Sequence, residues 1–227
     1  MSRDWAVIPV KGLNESKTRL SGFLGLKKRL FVEALLRDVL SSVVESRVFG
    51  SVLIISSDEA LAAEARKRNV SFLRQSIAGL NRAVDEANKH AIHEHATSVT
   101  TILGDIPLVK PEDFREVMAI SDSHHRVVMA PSMKGGTNVM LNSPPDMIEP
   151  SYGRWSYSKH LRKAQSLKAD VYSMSNPRVS FDIDTSEDLM ELNRRDPTGR
   201  TESARVLRSL LTPMKTVGVP LKSPTHY

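Results

Sequence analysis

The chain has 227 residues, no cysteine, 5% aromatic residues and a formal net charge of +6 at pH 7. This composition excludes a disulfide framework and a thiolate zinc site, and the sequence contains neither a signal peptide nor the roughly 18 consecutive apolar residues of a membrane span, so we expect a cytoplasmic protein without a membrane partner. The positive charge favours anionic partners, but the basic residues are interspersed with acidic ones and aromatic residues are few, which favours phosphorylated small molecules over nucleic acid.

Apolar runs alternate with helical patterns along the chain, which is typical of βα units around a largely parallel sheet. Strands are predicted near Trp5–Val10, Ser51–Ser56, Ser71–Leu73, Val99–Leu103, Arg126–Pro131, Thr137–Leu141, Ala169–Ser173 and Val179–Ile183. Apolar positions at helical spacing predict helices over Leu26–Ser46, Asp58–Asn69, Leu80–His95, Ser156–Lys168, Ser186–Arg195 and Glu202–Leu211, and another that begins at Pro111. We predict one α/β domain over residues 1–211 and an extended arm over residues 212–227, where three prolines occur without periodicity.

Three basic side chains follow the first predicted strand. Lys11, Lys17 and Arg19 lie in a glycine-containing segment, and residues directly after the first strand of an α/β sheet lie at its carboxyl edge, where ligands bind. The segment matches neither the P-loop motif nor the glycine fingerprint of dinucleotide-binding folds. It is therefore a candidate phosphate-binding loop, with an exposed basic turn as the alternative.

Two acidic segments follow later strands. Asp105 lies in the apolar run TILGDIPLV, and Asp182 and Asp184 lie in FDIDTSEDL. Because a carboxylate in an apolar setting needs a compensating partner, we expect Asp105 to share a cation with whichever of the other two faces the site. Carboxylates that converge at strand ends suit Mg²⁺. The alternatives are a turn before Pro107 for Asp105 and a position beside a helix N-cap for Asp184.

Small and polar residues lie between these acids. Gly136, Thr137 and Asn138 offer backbone and side-chain donors suited to an oxyanion, with the turn of a β-hairpin as the alternative. Gly153 and Ser156 open a predicted helix whose N-terminus can hold a carboxylate or phosphate.

The histidines do not form a zinc pattern. His90, His93 and His95 lack a companion cluster of carboxylates and are expected at the surface. His160, on the helix that Ser156 opens, is a candidate for a role in the site, with a packed or solvent-facing side chain as the alternative.

Taken in order, six segments resemble the 2-phospho-L-lactate guanylyltransferase family (CofC/FbiD) of coenzyme F-420 biosynthesis. They are IPVKG…SKTRLS, AGLNRAVDEA, LGDIPLV, KGGTNVMLN, YGRWSYSKH and FDIDTSEDL, and the likeness runs from about Trp5 to Leu192. The resemblance implies a single-domain nucleotidyltransferase of the glycosyltransferase-A-like kind, a three-layer α/β fold with a mostly parallel central sheet. It also implies Mg²⁺-dependent transfer of GMP from GTP to 2-phospho-L-lactate, which gives lactyl-2-diphospho-5′-guanosine and pyrophosphate.

The resemblance also implies roles for individual residues. The GTP phosphates would be bound by Lys11, Lys17 and Arg19, and the nucleoside by Gly79, Leu80 and Asn81. The metal would be held by Asp105 and Asp184. The phosphorylated acid would be held by Thr137, Gly153 and Ser156, with Gly136 and Asn138 close by.

Several alternatives stay open at this point. Phosphoenolpyruvate, 3-phosphoglycerate or a sugar phosphate could be the acceptor instead of 2-phospho-L-lactate. A non-catalytic nucleotide-binding regulatory protein would bind GTP without making pyrophosphate, and a nucleic-acid binder would lose affinity steeply with salt. A homodimer is also open, since apolar residues of the tail and of Pro144–Ile148 could form an interface.

Overall fold

The computed structural model describes residues 3–13 and 17–211 of the chain. Within these residues seven strands form one sheet: β1 (Asp4–Val10), β2 (Ser51–Ser56), β3 (Ser71–Arg74), β4 (Ser98–Ile102), β5 (Arg126–Pro131), β6 (Thr137–Ser143) and β7 (Asp170–Ser173). Their spatial order is β3-β2-β1-β4-β6-β5-β7. β6 runs antiparallel between β4 and β5, and the other neighbouring pairs are parallel. The predicted mostly parallel sheet is therefore confirmed.

The described helices cover both faces of this sheet. They are α1 (Ser21–Leu24), α2 (Lys28–Ser46), α3 (Ala60–Lys67), α4 (Leu80–His93), α5 (Pro111–Ala119), α6 (Ser156–Ser166), α7 (Ser186–Arg195) and α8 (Glu202–Leu211). Buried residues of α2, α3 and α5 share one core cluster, whereas α4 and α6 contribute to the clusters on the opposite face. The result is a three-layer α/β/α domain.

The central strand β1 shows why these residues form a sheet with two buried faces. Ala6 and Ile8 belong to the cluster under α2, and Trp5 and Val7 belong to the cluster under α4. Successive side chains of a strand point to opposite faces, so a strand covered on both sides reads as an unbroken apolar run. Such a strand fixes the position of whatever follows its carboxyl end.

Another hydrophobic cluster packs α2 against α7 and α8. It joins Phe31 and Leu35 of α2 to Leu189 of α7 and Leu207 of α8, and it also contains Ile183. The segment that carries Asp182 and Asp184 is thus anchored by apolar contacts directly beside the acidic residues.

One predicted strand is wrong. In Val179–Ile183, a turn is followed by residues without regular secondary structure, and the segment joins no sheet. Its backbone bonds to loops instead: Ile183 N donates to Asp105 O at 3.0 Å, and Ser180 O accepts from Met133 N at 3.0 Å. Val179, Phe181 and Ile183 are nevertheless buried, so the apolar alternation reported burial rather than strand pairing.

The other sequence predictions differ from the structure mainly at their ends. The six fully bounded helices and the remaining strands occur within a few residues of the predicted bounds, and α5 begins at Pro111 as expected. The segment before α2, predicted as a loop, contains α1 and two 3₁₀ turns at Thr18–Leu20 and Gly25–Lys27. The predicted arm over residues 212–227 lies outside the described residues. No described helix is long and apolar enough to cross a membrane.

Candidate active site

A cavity of about 660 Å³ opens at the carboxyl edge of the sheet. Its wall includes Val10 at the end of β1, Ser57 after β2, Gln75 after β3 and Gly104 after β4. Ligands of open α/β sheets bind outside the carboxyl ends of the strands. The position of the cavity is therefore the one that the order of strands and helices leads us to expect.

The basic residues of the predicted phosphate loop line this cavity. Lys11, Lys17 and Arg19 all contribute to its wall, and Lys11 and Arg19 are exposed to solvent. Lys17 has a left-handed backbone, with φ 52° and ψ 46°, and directly precedes the 3₁₀ turn at Thr18–Leu20. The turn of the chain at Lys17 directs its side chain to the acidic residues.

The Lys17 ammonium bridges two carboxylates that come from distant parts of the chain. Its Nζ donates to Asp105 Oδ2 at 2.5 Å and to Asp184 Oδ1 at 2.8 Å. The Lys17 side chain is only 12% exposed. Burial opposes its charged form, but the carboxylates of Asp105 and Asp184 outweigh burial and raise the pKa of Lys17 above its ordinary value. The Lys17 side chain therefore stays protonated, and it contributes a positive charge to the cavity wall.

Asp184 is positioned by the cap of α7. Thr185 is the N-cap residue, and Asp188 Oδ2 accepts hydrogen bonds from the backbone N–H groups of Asp184 and Thr185, each at 2.8 Å. Lys134 Nζ donates to the same Asp188 oxygen at 2.6 Å. The sequence alternative for Asp184, a place beside a helix N-cap, is thus also correct, and the cap is what holds the carboxylate near Lys17.

Asp182 joins the same cluster, so the expectation that only one residue of the pair faces the site is wrong. Phe181 and Ile183 pack in the core, whereas Asp182 lies close enough to Asp105 and Asp184 to feel the charge of both. Burial, followed by the carboxylates of Asp105 and Asp184, raises the pKa of Asp182 to about 7. Three carboxylates therefore share the site with Lys17 and with Lys134, whose Nζ lies 3.8 Å from Asp184 Oδ2.

The residues assigned to the nucleoside separate into two groups. Gly79 and Leu80 line the cavity, and Gly79, with φ +115°, is the N-cap residue of α4. The Asn81 side chain instead bonds to the backbone of Tyr152: its Oδ1 accepts from Tyr152 N at 2.6 Å, and its Nδ2 donates to Tyr152 O at 3.3 Å. Asn81 thereby links the start of α4 to the loop that precedes α6.

Two residues that the sequence did not single out brace the loop beside Gly79. Gln75 Nε2 donates to the carbonyl oxygens of Ile77 and Gly79, at 2.5 and 2.9 Å. The Glu86 carboxylate accepts from the backbone N–H groups of Ser76 and Ile77, at 2.8 and 3.0 Å. Gln75 lies outside the six family segments, and Glu86 lies in AGLNRAVDEA without a role of its own there; only the folded chain brings Glu86 to a loop ten residues earlier.

The residues assigned to the acid form a second group, around the β5–β6 hairpin and the start of α6. The hairpin alternative is correct, since residues 132–136 connect the antiparallel strands β5 and β6. Thr137 and Ser156 are both buried, and Ser156 Oγ donates to Thr137 Oγ1 at 3.2 Å. Gly136 lies next to them, because a Cβ added there would stand 3.9 Å from Ser156 Oγ. Gly153 O accepts from Ser156 N at 3.1 Å.

Asn138 connects the two groups. Its backbone oxygen accepts from Leu103 N at 2.9 Å, and its side-chain Nδ2 donates to Val179 O at 2.8 Å. Leu103 lies two residues before Asp105, and Val179 begins the segment that leads to Asp182. The buried Asn138 amide therefore ties the hairpin to both acidic segments.

The comparison with known families identifies the class of this site. Residues 5–215 match the family described as guanylyl transferase CofC like. The chain belongs to this family. The resemblance inferred from the six sequence segments is confirmed, and the chain is an enzyme of the nucleotidyltransferase class.

Relatives of the CofC-like family differ in the acceptor for which they are named. The 2-phospho-L-lactate guanylyltransferase of Methanocaldococcus vulcanius is 32% identical over 187 residues, which cover 82% of this chain and 82% of the relative. The phosphoenolpyruvate guanylyltransferase of Rubrobacter xylanophilus is 33% identical over 190 residues, which cover 83% of this chain and 92% of the relative.

Solved structures share the fold of this CofC-like chain. A structure from Desulfovibrio desulfuricans G20, described as a candidate nucleotide-diphospho-sugar transferase, superposes with a TM-score of 0.76 and 21% identity over 92% of this chain and 95% of its own. A cytidylyltransferase from Leptospira borgpetersenii has a TM-score of 0.60 and 13% identity over 93% of each chain. These similarities confirm the predicted nucleotidyltransferase fold.

The acidic cluster of the CofC-like chain fits a hard divalent cation in its donor chemistry. Asp105 Oδ1 and Asp182 Oδ1 are buried oxygens without a hydrogen-bond partner among the described residues, and carboxylate oxygens are the ligands that Mg²⁺ prefers. Over the described ranges, no group of three His, Cys, Asp or Glu side chains is already arranged to hold a metal ion. The Lys17 ammonium bonds Asp105 Oδ2 and Asp184 Oδ1, so a cation that used these two oxygens would bind only after Lys17 moves.

Proposed function

We propose that this CofC-like enzyme transfers GMP from GTP to 2-phospho-L-lactate in the cytoplasm, in the coenzyme F-420 pathway, and releases pyrophosphate. The observation that carries the proposal is the meeting of a basic cavity with partly buried carboxylates. Lys11, Lys17 and Arg19 line the cavity together with Asp105 and Asp184. An anionic nucleotide and a hard cation are the ligands that this combination suits.

The basic side chains would bind the GTP phosphates. Three cations on one wall can neutralise the triphosphate and, during the reaction, the pyrophosphate that leaves. Gly79 and Leu80 lie on the same cavity wall, and they would contact the nucleoside. The loop that precedes Gly79 is braced by Gln75 and Glu86, so it can offer the base a fixed surface.

The phosphorylated acid would bind at Thr137, Gly153 and Ser156, beside Gly136 and Asn138. Hydroxyl groups and the N-terminus of a helix are suited to an oxyanion. The hydrogen bonds of Asn138 to Leu103 N and Val179 O support this assignment, because they hold the hairpin next to the acidic segments at which the reacting groups must meet.

The reaction needs charge neutralisation and alignment rather than a base. An oxygen of the acceptor phosphate is already anionic at neutral pH; it attacks the α-phosphorus of GTP, and the bond from that phosphorus to the β-phosphate oxygen breaks. Lys17 and Arg19 would stabilise the negative charge that accumulates on the pyrophosphate. No proton has to leave the nucleophile, which agrees with a site built from lysine, arginine and carboxylates.

Asp105 and Asp184, with Asp182 beside them, would hold Mg²⁺. The ion would supply positive charge to the phosphate oxygens and orient them. Lys17 lies between Asp105 and Asp184, and it would turn to the GTP phosphates where a cation takes its place.

Phosphoenolpyruvate is the second candidate acceptor. The relative named for phosphoenolpyruvate is 33% identical to this chain, against 32% for the relative named for 2-phospho-L-lactate. Both acids place a carboxylate on the carbon that carries the phosphate ester. The same hydroxyl donors could therefore bind either acid, and the shape of the pocket around that carbon would select between them.

Pyrophosphate release tests this function. The purified protein is incubated with GTP and Mg²⁺ and, in separate reactions, with 2-phospho-L-lactate, phosphoenolpyruvate, 3-phosphoglycerate or a sugar 1-phosphate, with ATP as the control nucleotide. Release that requires GTP and 2-phospho-L-lactate is the expected result. Release only with another acid would replace the acceptor, and GTP binding without release from any acceptor would contradict catalysis.

A further inference from the structure

His160 is a buried titratable residue to which the proposed reaction gives no part. It lies on α6, one turn after Ser156, and is 0% exposed. Its ring contacts the Tyr152 ring edge to face, with 4.9 Å between the ring centroids. Both ring nitrogens are within hydrogen-bond distance of groups outside α6.

The hydrogen bonds define which ring nitrogen carries the proton. The backbone N–H of Ser151 donates to His160 Nε2 at 2.9 Å, so Nε2 is the unprotonated nitrogen. The proton is then on Nδ1, which lies 3.0 Å from Thr137 Oγ1 and must donate to it. Burial, followed by the charges of Lys163 and Lys159, lowers the pKa of His160 to about 4. The ring is thus neutral at physiological pH.

This bond decides what the Thr137 hydroxyl can do. Because Thr137 Oγ1 accepts from the ring, its own proton cannot point at His160. Ser156 Oγ stands 3.2 Å from Thr137 Oγ1, and the bond between the two hydroxyls uses only one of their two protons. The other proton is left for a partner outside this chain of hydrogen bonds.

We propose that His160 is a positioning residue for the acceptor, one that orients the hydroxyls of Thr137 and Ser156 so that the pair donates a proton to an oxyanion of the phosphorylated acid. This inference rests on the proposed function, which assigns the two hydroxyls to the acid. His160 itself does not touch the substrate. Both of its nitrogens are engaged, so it exchanges no proton during the reaction.

Two substitutions of His160 separate this role from packing. In His160→Asn the amide nitrogen stands near the position of Nδ1 and can still donate to Thr137, while the acceptor for Ser151 N–H is lost. In His160→Gln the amide oxygen can reach the position of Nε2 and still accept from Ser151, while the donor to Thr137 is lost. The two variants remove one hydrogen bond each, from opposite sides of the same ring.

Steady-state kinetics with the acid that the wild type uses provide the measurement. We expect His160→Gln to raise the KM for the acid about tenfold, as for one lost hydrogen bond to a charged group, with the KM for GTP unchanged. We expect His160→Asn to keep the KM for the acid within about threefold of wild type. Calorimetric titration of the acid into each protein should show the same order of affinities. Equal effects of the two variants, or equal effects on both substrates, would overturn the role.

A double-mutant comparison removes the ambiguity of a folding defect. If His160 acts through Thr137, His160→Gln should change little in a Thr137→Val background, because the group that it orients is already absent. Should His160→Gln show no cooperative thermal transition, Thr137→Val takes its place: it must raise the KM for the acid while His160→Asn does not, or the inference is wrong.

The wild-type enzyme distinguishes this inference from the proposed function. If the wild type releases no pyrophosphate with any acid, both are wrong. If the wild type is active and Thr137→Val leaves the KM for the acid unchanged, the enzyme keeps its proposed function and the role of His160 is wrong.

Discussion

The two sides of the candidate site are built in opposite ways. The nucleotide side, formed by Lys11, Lys17 and Arg19 on the cavity wall, consists of charges, and two of its three cations are exposed. The acceptor side, formed by Thr137 and Ser156, is neutral, buried and joined by hydrogen bonds. Ion pairs near water change partners at low cost, whereas a buried hydrogen-bond network is costly to break. We infer that the nucleotide side rearranges on binding and the acceptor side is preorganised.

Of the substitutions on the nucleotide side, Asp105→Asn should lower turnover the most. It removes a charge from the oxygen that Lys17 bonds at 2.5 Å, and a bound cation supplies several kcal/mol of charge stabilisation, so we expect turnover to fall about a thousandfold. Circular dichroism and the thermal midpoint should stay close to wild type, because the substitution keeps the shape of the side chain. The matched control is Asp122→Asn. Asp122 is exposed and precedes β5, away from the carboxyl ends of the strands where the cavity lies. Full activity of Asp105→Asn would contradict the assignment of Asp105 as a ligand of Mg²⁺.

Lys17→Met tests whether the nucleotide side exchanges one cation for another. Turnover should fall about a hundredfold, since one charge on the leaving pyrophosphate is lost. In the absence of nucleotide, however, Mn²⁺ should bind about tenfold more tightly than to wild type, because no ammonium competes for Asp105 and Asp184. Electron paramagnetic resonance of free Mn²⁺ measures this affinity without any turnover.

A surface ion pair provides the control for Lys17. Lys89 Nζ bonds Asp85 at 2.9 Å on the exposed face of α4, and Lys89→Met should leave Mn²⁺ binding unchanged. If wild type and Lys17→Met bind Mn²⁺ equally, Lys17 does not compete with the cation. The inference that the nucleotide side rearranges on binding would then be wrong for Lys17.

The sequence predicts the positions of the strands better than it predicts the side-chain contacts between distant parts of the chain. β1 is recognisable because a doubly covered strand is an apolar run, and Lys11 after it is a candidate by position alone. The bridge from Lys17 to Asp105 and Asp184 spans 88 and 167 residues of sequence. Position at strand ends predicts that Asp105 shares a cation with Asp182 or Asp184, but no local pattern predicts that Lys17 bridges Asp105 and Asp184 across such distances.

The errors have local causes. Val179–Ile183 alternates like a strand because Phe181 and Ile183 are buried beside α2, yet its backbone bonds to loops. Asp182 lies in the acidic cluster together with Asp184, and residues two apart in a strand share a face, so the prediction that only one of them faces the site is wrong. The polar contacts of His160 follow no sequence motif, because its partners lie on β6 and in the loop before α6.

Ser156→Ala tests the preorganised acceptor side. It removes the hydroxyl whose Oγ donates to Thr137 Oγ1 at 3.2 Å. We therefore expect the KM for the acid to rise about tenfold and the KM for GTP to change little. Ser158 is exposed two residues later on the same helix, and Ser158→Ala should leave both KM values at wild type. Equal effects of Ser156→Ala on the two substrates would move Ser156 out of the acceptor pocket.

Asp182→Asn should give the smallest effect, a gain in stability of the metal-free protein. The pKa of Asp182 is about 7 when folded, against an ordinary value of 3.8, because burial and the neighbouring carboxylates oppose its charge. Below the ordinary value the carboxyl is protonated in both states and costs nothing. As the pH rises toward 7 the unfolded chain ionises first, so the cost to the folded state grows, and above 7 it is complete.

Thermal unfolding with a chelator present measures this gain. We expect the midpoint of Asp182→Asn to exceed wild type by about 5 °C at pH 8 and by less at pH 5. Asp146→Asn, at an exposed aspartate, should give no gain at either pH. A gain that is equal at both pH values would mean that repacking, not charge, is responsible. A gain confined to high pH would show that burial and the neighbouring carboxylates make the ionised form of Asp182 costly in the folded protein.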